Sequence, residues 1–220
     1  MIAAMAAIAL TAAQRSAIDS LAKSAMVRDR IAGISLVVRR GGAVVYENGF
    51  GYADIAHKIR ATPATIYPIG SVTKQFTAAC VMLLAQGGKL STDDALSAYV
   101  AGLPWANRVT LRHLLDQESG IVDFRLGALD YTTPLTSADL LARLAPTDLL
   151  FAPGSRYEYS NSNYYLLGLV VEKAAGTAYA QYLHDRILGP LDLTSTSYGA
   201  PSNGSRVARG YAATAGGPQP

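Results

Sequence analysis

One cysteine and three histidines in 220 residues leave few of the usual catalytic sets available. The lone thiol, Cys80, excludes an internal disulfide and a cysteine-based metal cluster, and its place on an apolar helix face reads as core packing. His57, His113 and His184 are widely separated and show no metal-ligand spacing, so no metal and no cofactor is implied. No Gly-X-Ser-X-Gly elbow occurs, which sets aside an α/β-hydrolase. The run Gly70-Ser71-Val72-Thr73-Lys74 lacks the upstream glycine and the Gly-Lys-Ser/Thr core of a phosphate loop. The 19 basic and 16 acidic residues are scattered, with no basic run or aromatic-basic interleaving, which argues against a nucleic-acid partner. No apolar run reaches the ~20 residues of a membrane span. There is no internal repeat.

What is present is a serine with a lysine three residues on. In Ile69-Gly70-Ser71-Val72-Thr73-Lys74-Gln75-Phe76-Thr77 the spacing puts hydroxyl and amine on one helical face. A free serine hydroxyl is a weak nucleophile and needs a neighbouring base, which a desolvated lysine can supply. A helix is expected over about Val72 to Ala85, with Phe76, Ala79, Cys80, Leu83 and Leu84 as its apolar stripe and Gly87-Gly88 as its stop. Ser71 then sits near a helix N-terminus, where backbone N–H groups favour developing negative charge. The tetrapeptide alone is weak. A second copy, Ser20-Leu21-Ala22-Lys23, reads as a solvated helix face, and the tetrapeptide by itself reads as Ser71 capping a helix with Lys74 an ordinary surface lysine.

Tyr159-Ser160-Asn161 adds the weight. It follows a Pro153-Gly154 turn and precedes a helix, a loop position where functional groups gather. Tyr157, Tyr164, Tyr165, Tyr179 and Tyr182 also crowd this region, so by itself the motif is equally tyrosine richness with Ser160 or Asn161 as a cap. Together the two motifs supply a histidine-free acyl-transfer set.

These residues resemble the serine β-lactamase and penicillin-binding-protein superfamily, most of all the branch of class C β-lactamases, D-amino-acid peptidases and related esterases. The likeness runs from about Ala13 to Tyr198. It is carried by Gly33 to Val38, Gly49-Phe50-Gly51-Tyr52-Ala53-Asp54, Tyr67 to Ala79, Gly88 to Asp94, Leu111-Arg112-His113-Leu114-Leu115 and Pro153 to Gly168. The class A pattern, with Ser-Asp-Asn, does not fit. The resemblance implies an α+β fold of two lobes, with the helical lobe largely present and only the first β-hairpin of the antiparallel sheet. It implies candidate catalytic residues Ser71 as acylated nucleophile, Lys74 as proton holder and Tyr159 as base and acid to the leaving group. Asn161 would bind the acyl side chain and help orient Lys74. One oxyanion donor would be the Ser71 N–H. The other normally accompanies a late Lys-Thr-Gly-like triad, and none occurs after Asn161. A further departure is Leu115-Asp116-Gln117-Glu118-Ser119-Gly120, where relatives carry a His-Thr-Ser-Gly-like turn. That turn is expected to be structural and to leave the chemistry alone.

The chain is accordingly expected to comprise residues 1–13 as a signal-peptide remnant, 14–199 as a β-lactamase-related domain incomplete at its C-terminal side, and 200–220 as a flexible tail. Met1 to Ala13 is uncharged and rich in Ala, Ile and Leu, but lacks a basic n-region. The expectation is a periplasmic or secreted protein. The alternative is a cytoplasmic one in which the run is the front of the first helix. The activity implied is a serine hydrolase acting on an ester, a D-amino-acid peptide or amide, as a carboxypeptidase does, or a β-lactam. The partner is then a small-molecule or peptide substrate, with a second chain completing the sheet as a further option. The competing expectation is a catalytically silent fragment or binding module of the family, or half of a split enzyme, motivated by the missing donor. Helices are expected over about 12–28, 111–117 capped by Thr110, 137–144, 162–175 ended by Gly176, and from a Thr177 cap to Leu188. Strands are expected over 34–40 and 43–49.

Overall fold

The computed structural model describes residues 9–124, 136–199, 204–214 and 216–219. The chain divides into two units, Met1–Pro68 with Tyr198–Pro220, and Ile69–Ser197.

In the first unit Thr11 sets where the helix starts. Its hydroxyl accepts the Gln14 N–H, and the Gln14 side chain accepts the Thr11 N–H in return, a capping box. Helix α1 therefore spans Ala12–Asp29. The first eight residues of the apolar run Met1 to Ala13 lie outside the described ones, and its last two, Ala12 and Ala13, open α1. Strands β1 (Gly33–Arg40) and β2 (Ala43–Asp54) pair antiparallel, with Gly33 opposite Gly51 and Arg40 opposite Ala43. Helix α1 lies on this pair. Its Arg15 guanidinium donates to Val45 O at 3.0 Å, its Asp19 accepts from the Tyr46 hydroxyl, and Ala22 is buried.

Strand β2 runs on to Asp54 rather than ending at Gly49. Gly49 and Gly51 do not interrupt it, because Gly49 is where another backbone crosses. A Cβ there would lie 2.1 Å from Ala61 O, closer than any real contact. The chain returning past it forms β3 (Ile59–Arg60) against the end of β2, so the sheet has the order β1-β2-β3, one strand more than the expected hairpin.

The span 200–220, expected as a flexible tail, carries regular structure where it is described. Ile66 N–H donates to Arg206 O and Ala208 N–H to Ile66 O. Strand β4 (Ala212–Thr214) pairs with β5 (Gly217–Gln219). Asp54 ties this segment down. Its buried carboxylate pairs with the His57 ring at 2.8 Å and the Arg209 guanidinium at 3.3 Å. Hydrogen bonds from the His57 side chain and backbone hold the carboxyl below its usual range.

The second unit is helical around one apolar core. It is built by α2 (Thr73–Gln86), α3 (Leu111–Leu115), α4 (Ser137–Leu144), α5 (Asn161–Ala175) and α6 (Tyr179–Leu183). Leu166, Leu167, Val170 and Val171 make a fully buried stripe on α5, at the spacing of one helical face. Helix α2 packs on α5 and α6. Its buried face is Thr77, Cys80, Val81 and Leu84, with Phe76, Ala79 and Leu83 partly buried beside it. The expected stripe is thus rotated by one position, and Thr77 is accommodated because its hydroxyl bonds the Tyr179 hydroxyl at 2.8 Å.

Several helix ends follow local chemistry. Thr110 and Thr136 cap α3 and α4 through capping boxes, and Gly176 closes α5 in the left-handed conformation. Thr177 does not cap α6. The N-cap is Ala178, and the Tyr179 N–H is taken by the Glu172 carboxylate of α5 at 2.9 Å. Beyond Leu183 the chain continues as a π-helical turn, His184–Leu188.

Two glycine substitutions should move stability in opposite directions. Gly49→Ala forces Cβ into the Ala61 carbonyl and should destabilise the chain by about 2–3 kcal/mol. Gly168→Ala, inside α5 with nothing within 4 Å of the new methyl, should stabilise it by about 0.5–1 kcal/mol. Urea unfolding of both variants checks the sign of each.

Candidate active site

Ser71 enters the site through a tight turn. Gly70 takes φ 51°, a conformation that glycine adopts without steric cost, and Gly70–Val72 form one 3-10 turn feeding α2. The N-cap of α2 is Val72, which makes no side-chain cap bond. The Ser71 hydroxyl is therefore not used as a cap. It lies 2.7 Å from the Tyr159 hydroxyl and 3.2 Å from Lys74 Nζ. Lys74 is one helical turn on, as the three-residue spacing requires.

The opposite side of the site is the start of α5. Lys74 Nζ donates to Asn161 Oδ1 at 2.9 Å, and the Tyr159 hydroxyl approaches the same oxygen at 3.4 Å. The Lys74 nitrogen also lies 4.8 Å from the Tyr159 ring centroid and 5.7 Å from that of Tyr164, within cation–π range. Burial, with Asp116 adding, raises the Tyr164 hydroxyl pKa and so keeps it a neutral phenol, which donates to Leu115 O at 3.0 Å. Tyr159 is 40% exposed and Ser71 is exposed. All four residues singled out from the sequence, Ser71, Lys74, Tyr159 and Asn161, are thus brought together within the second unit.

Four further side chains hold this arrangement, and the motifs did not point to them. Gln117, at φ 62°, is nearly buried. Its carbonyl accepts the Glu158 N–H at 2.9 Å. Its Oε1 accepts the Ser160 N–H at 3.0 Å and Asn163 Nδ2 at 2.7 Å. The residues before and after Tyr159 are therefore gripped by one glutamine. Ser119 donates to Asn163 Oδ1 at 2.6 Å. Asp123 accepts from Asn161, Nδ2 at 2.7 Å and the backbone N–H at 3.2 Å. The turn through Gln117 and Ser119, expected to leave the chemistry alone, is what fixes the tyrosine loop. One signal was available: Ser162 and Asn163 are wholly buried polar residues at the start of an apolar helix, and such residues require partners. Gln117 Nε2 and Ser160 Oγ are buried without a hydrogen-bond partner, so the network stops short of full satisfaction.

The remaining candidates have other places. Ser20 and Lys23 lie exposed on α1. His113 accepts the Thr110 N–H through Nδ1, completing the cap of α3. Cys80 is fully buried, and burial pushes its thiol up to about 11. Among the described residues no helix is long and apolar enough to cross a membrane.

Residues 18–220 match the Beta-lactamase family. The chain belongs to that family. Protein flp of Staphylococcus aureus (strain MW2) is 33% identical over 196 residues, covering 86% of this chain and 39% of its own length. The octameric penicillin-binding protein homologue from Pyrococcus abyssi superposes with a TM-score of 0.80 at 33% identity, over 93% of this chain and 50% of that one. EstCE1, a hydrolase with promiscuous acyltransferase activity, gives a TM-score of 0.81 at 29% identity, over 93% and 58%. The chain thus spans about two fifths of the curated relative and half or slightly more of the two solved structures. The α+β β-lactamase/transpeptidase-like fold is shared with both solved structures.

Replacing Gln117 by leucine leaves the Ser160 N–H and Asn163 Nδ2 without their acceptor and should cost about 2–3 kcal/mol. Urea unfolding of Gln117→Leu measures it. Cys80 should be silent towards Ellman's reagent at mildly alkaline pH, where a thiol titrating at about 11 is protonated, and should react once per chain in denaturant. Prompt reaction of the folded protein would contradict its burial.

Proposed function

We propose that the chain carries the nucleophilic half of a serine hydrolase that forms an acyl-enzyme on Ser71. The observation that supports this most is the contact of one serine oxygen with both a tyrosine hydroxyl, at 2.7 Å, and a lysine nitrogen, at 3.2 Å. A serine hydroxyl attacks an acyl carbon only as its proton leaves, and here a phenolic oxygen and an amine nitrogen lie in contact with it. In the first step Ser71 Oγ bonds to the substrate carbonyl carbon. Its proton passes to Tyr159 or Lys74 and from there to the leaving group as the old acyl bond breaks. Water then repeats the sequence on the ester and frees Ser71. Tyr159, on the exposed side, is placed to hand the proton to the leaving group. Lys74 holds or shuttles it, and Asn161 orients Lys74 and hydrogen-bonds the acyl side chain. The Ser71 N–H, in the first turn before α2, supplies one oxyanion donor.

The substrate class is a carbonyl ester, a D-amino-acid amide or peptide, or a β-lactam. Similarity to a penicillin-binding-protein homologue and to a hydrolase with acyltransferase activity supports this range. Export to the periplasm or exterior belongs to the same proposal and rests on the apolar, uncharged run Met1 to Ala13.

Intact-mass measurement of the full chain after incubation with a penicillin, and separately with a fluorophosphonate, tests the reading. One adduct is expected on the wild type and none on Ser71→Ala. Lys74→Ala and Tyr159→Phe should each slow labelling by about 100-fold or more. A folded wild type that takes up neither reagent, or an adduct that survives Ser71→Ala, refutes it.

A further inference from the structure

The Asn161 side chain is an amide with two chemically opposite ends, and which end meets Lys74 decides what the lysine can do. We propose that Asp123 is a positioning residue that fixes this choice, turning the Asn161 Nδ2 outward and its Oδ1 towards Lys74. The proposal rests on the Ser71 reading and deepens it.

An ionised carboxylate only accepts hydrogen bonds. One oxygen of Asp123, Oδ2, takes both the Asn161 Nδ2 at 2.7 Å and the Asn161 backbone N–H at 3.2 Å. Two donors from one residue converging on one oxygen lock the side chain relative to its own backbone. Asn161 Oδ1 is then the only end left to face Lys74 Nζ, at 2.9 Å. The carboxylate is itself held by α5. Ser162 Oγ donates to Val122 O at 2.7 Å and accepts the Phe124 N–H at 2.9 Å, gripping the chain on both sides of Asp123.

The consequence is directional. With Oδ1 facing it, the lysine donates an N–H to Asn161 at 2.9 Å and is held with Nζ 3.2 Å from Ser71 Oγ. Were the amide reversed, its NH2 group would set donors against the lysine's own N–H donors, and the bond that holds Nζ beside Ser71 would be lost.

A double-mutant cycle read by fluorophosphonate labelling of the full chain tests this. Asp123→Ala should slow labelling by about 10- to 100-fold. Asp123→Asn, whose carbonyl can take the same two donors, should restore the rate to within about fivefold of wild type. In an Asn161→Ala background, Asp123→Ala should slow labelling no further, because it acts through an amide that is gone. Equal labelling of Asp123→Ala and wild type, or losses that multiply in the double variant, overturns the proposal. The second readout does not need activity. The Asn161 side-chain NH2 resonances, assigned by their loss in Asn161→Ala, should be shifted downfield and protected from exchange in the wild type and lose both properties in Asp123→Ala. If the wild type fails to label, the Ser71 reading falls and this measurement alone decides the orientation; unchanged resonances in Asp123→Ala overturn it.

Discussion

A lysine on a four-carbon stem is among the most mobile side chains a protein has, and holding one in place costs ~2 kcal/mol of rotamer entropy. The chemistry of this site depends on Lys74 being held. Its nitrogen bonds Asn161 Oδ1 at 2.9 Å, touches Ser71 Oγ at 3.2 Å and lies against the faces of Tyr159 and Tyr164. None of these contacts comes from its own helix except Ser71, which is local to it. The others are presented by the first turn of α5 and by Tyr159, two residues before it. Lys74 can therefore be fixed only if α2 and α5 are packed in register, and the apolar faces of those two helices do that work: Cys80, Val81 and Leu84 on one, Leu166, Leu167, Val170 and Val171 on the other. Hydrophobic burial sets the position of the helices, and short polar contacts at their N-terminal ends turn that position into a reactive geometry.

The same arrangement carries a strain that the rest of the second unit must offset. Ser162 and Asn163 are fully buried where an ordinary helix would start in water, and Gln117 takes a left-handed backbone conformation that is uncommon for a side chain of its size. Their hydrogen bonds satisfy most of what they bury, and Gln117 Nε2 and Ser160 Oγ are the exceptions. A core chosen for stability alone would have used apolar residues here. The polar set is intelligible as a scaffold for Tyr159 and Asn161, because the bonds named above end on residues 117–124 or 158–163.

What was legible in the sequence follows the range of the interactions. Ser71 and Lys74 could be read because a three-residue spacing fixes two side chains on one helical face, and α4 could be bounded to the residue because Thr136 and Asp139 cap it locally. Tyr159 and Asn161 became legible only through their likeness to a family, since nothing local ties them to Ser71. Asp123 and Gln117 were not legible at all. Their partners are reached through loops, and no periodicity marks a loop residue as an acceptor. Strand β2 was underestimated for a related reason. A glycine inside a strand looks like an end when the crossing backbone it makes room for lies outside the strand. Thr177 was misassigned as a cap because a carboxylate from the preceding helix, Glu172, had already taken the N–H it would have accepted.

The distribution of the site along the chain bears on how it tolerates divergence. Identity to the solved neighbours is 33% and 29%, while the TM-scores are 0.80 and 0.81. Backbone geometry of that similarity at that identity is expected when the core is specified by volume and pattern rather than by particular side chains. The polar contacts have no such latitude, since a hydrogen bond is lost over a few tenths of an ångström. Every group that touches Ser71, Lys74, Tyr159 or Asn161 in the contacts given above belongs to the second unit. The nucleophile, its lysine and their tyrosine and asparagine partners are consequently set by one continuous helical core.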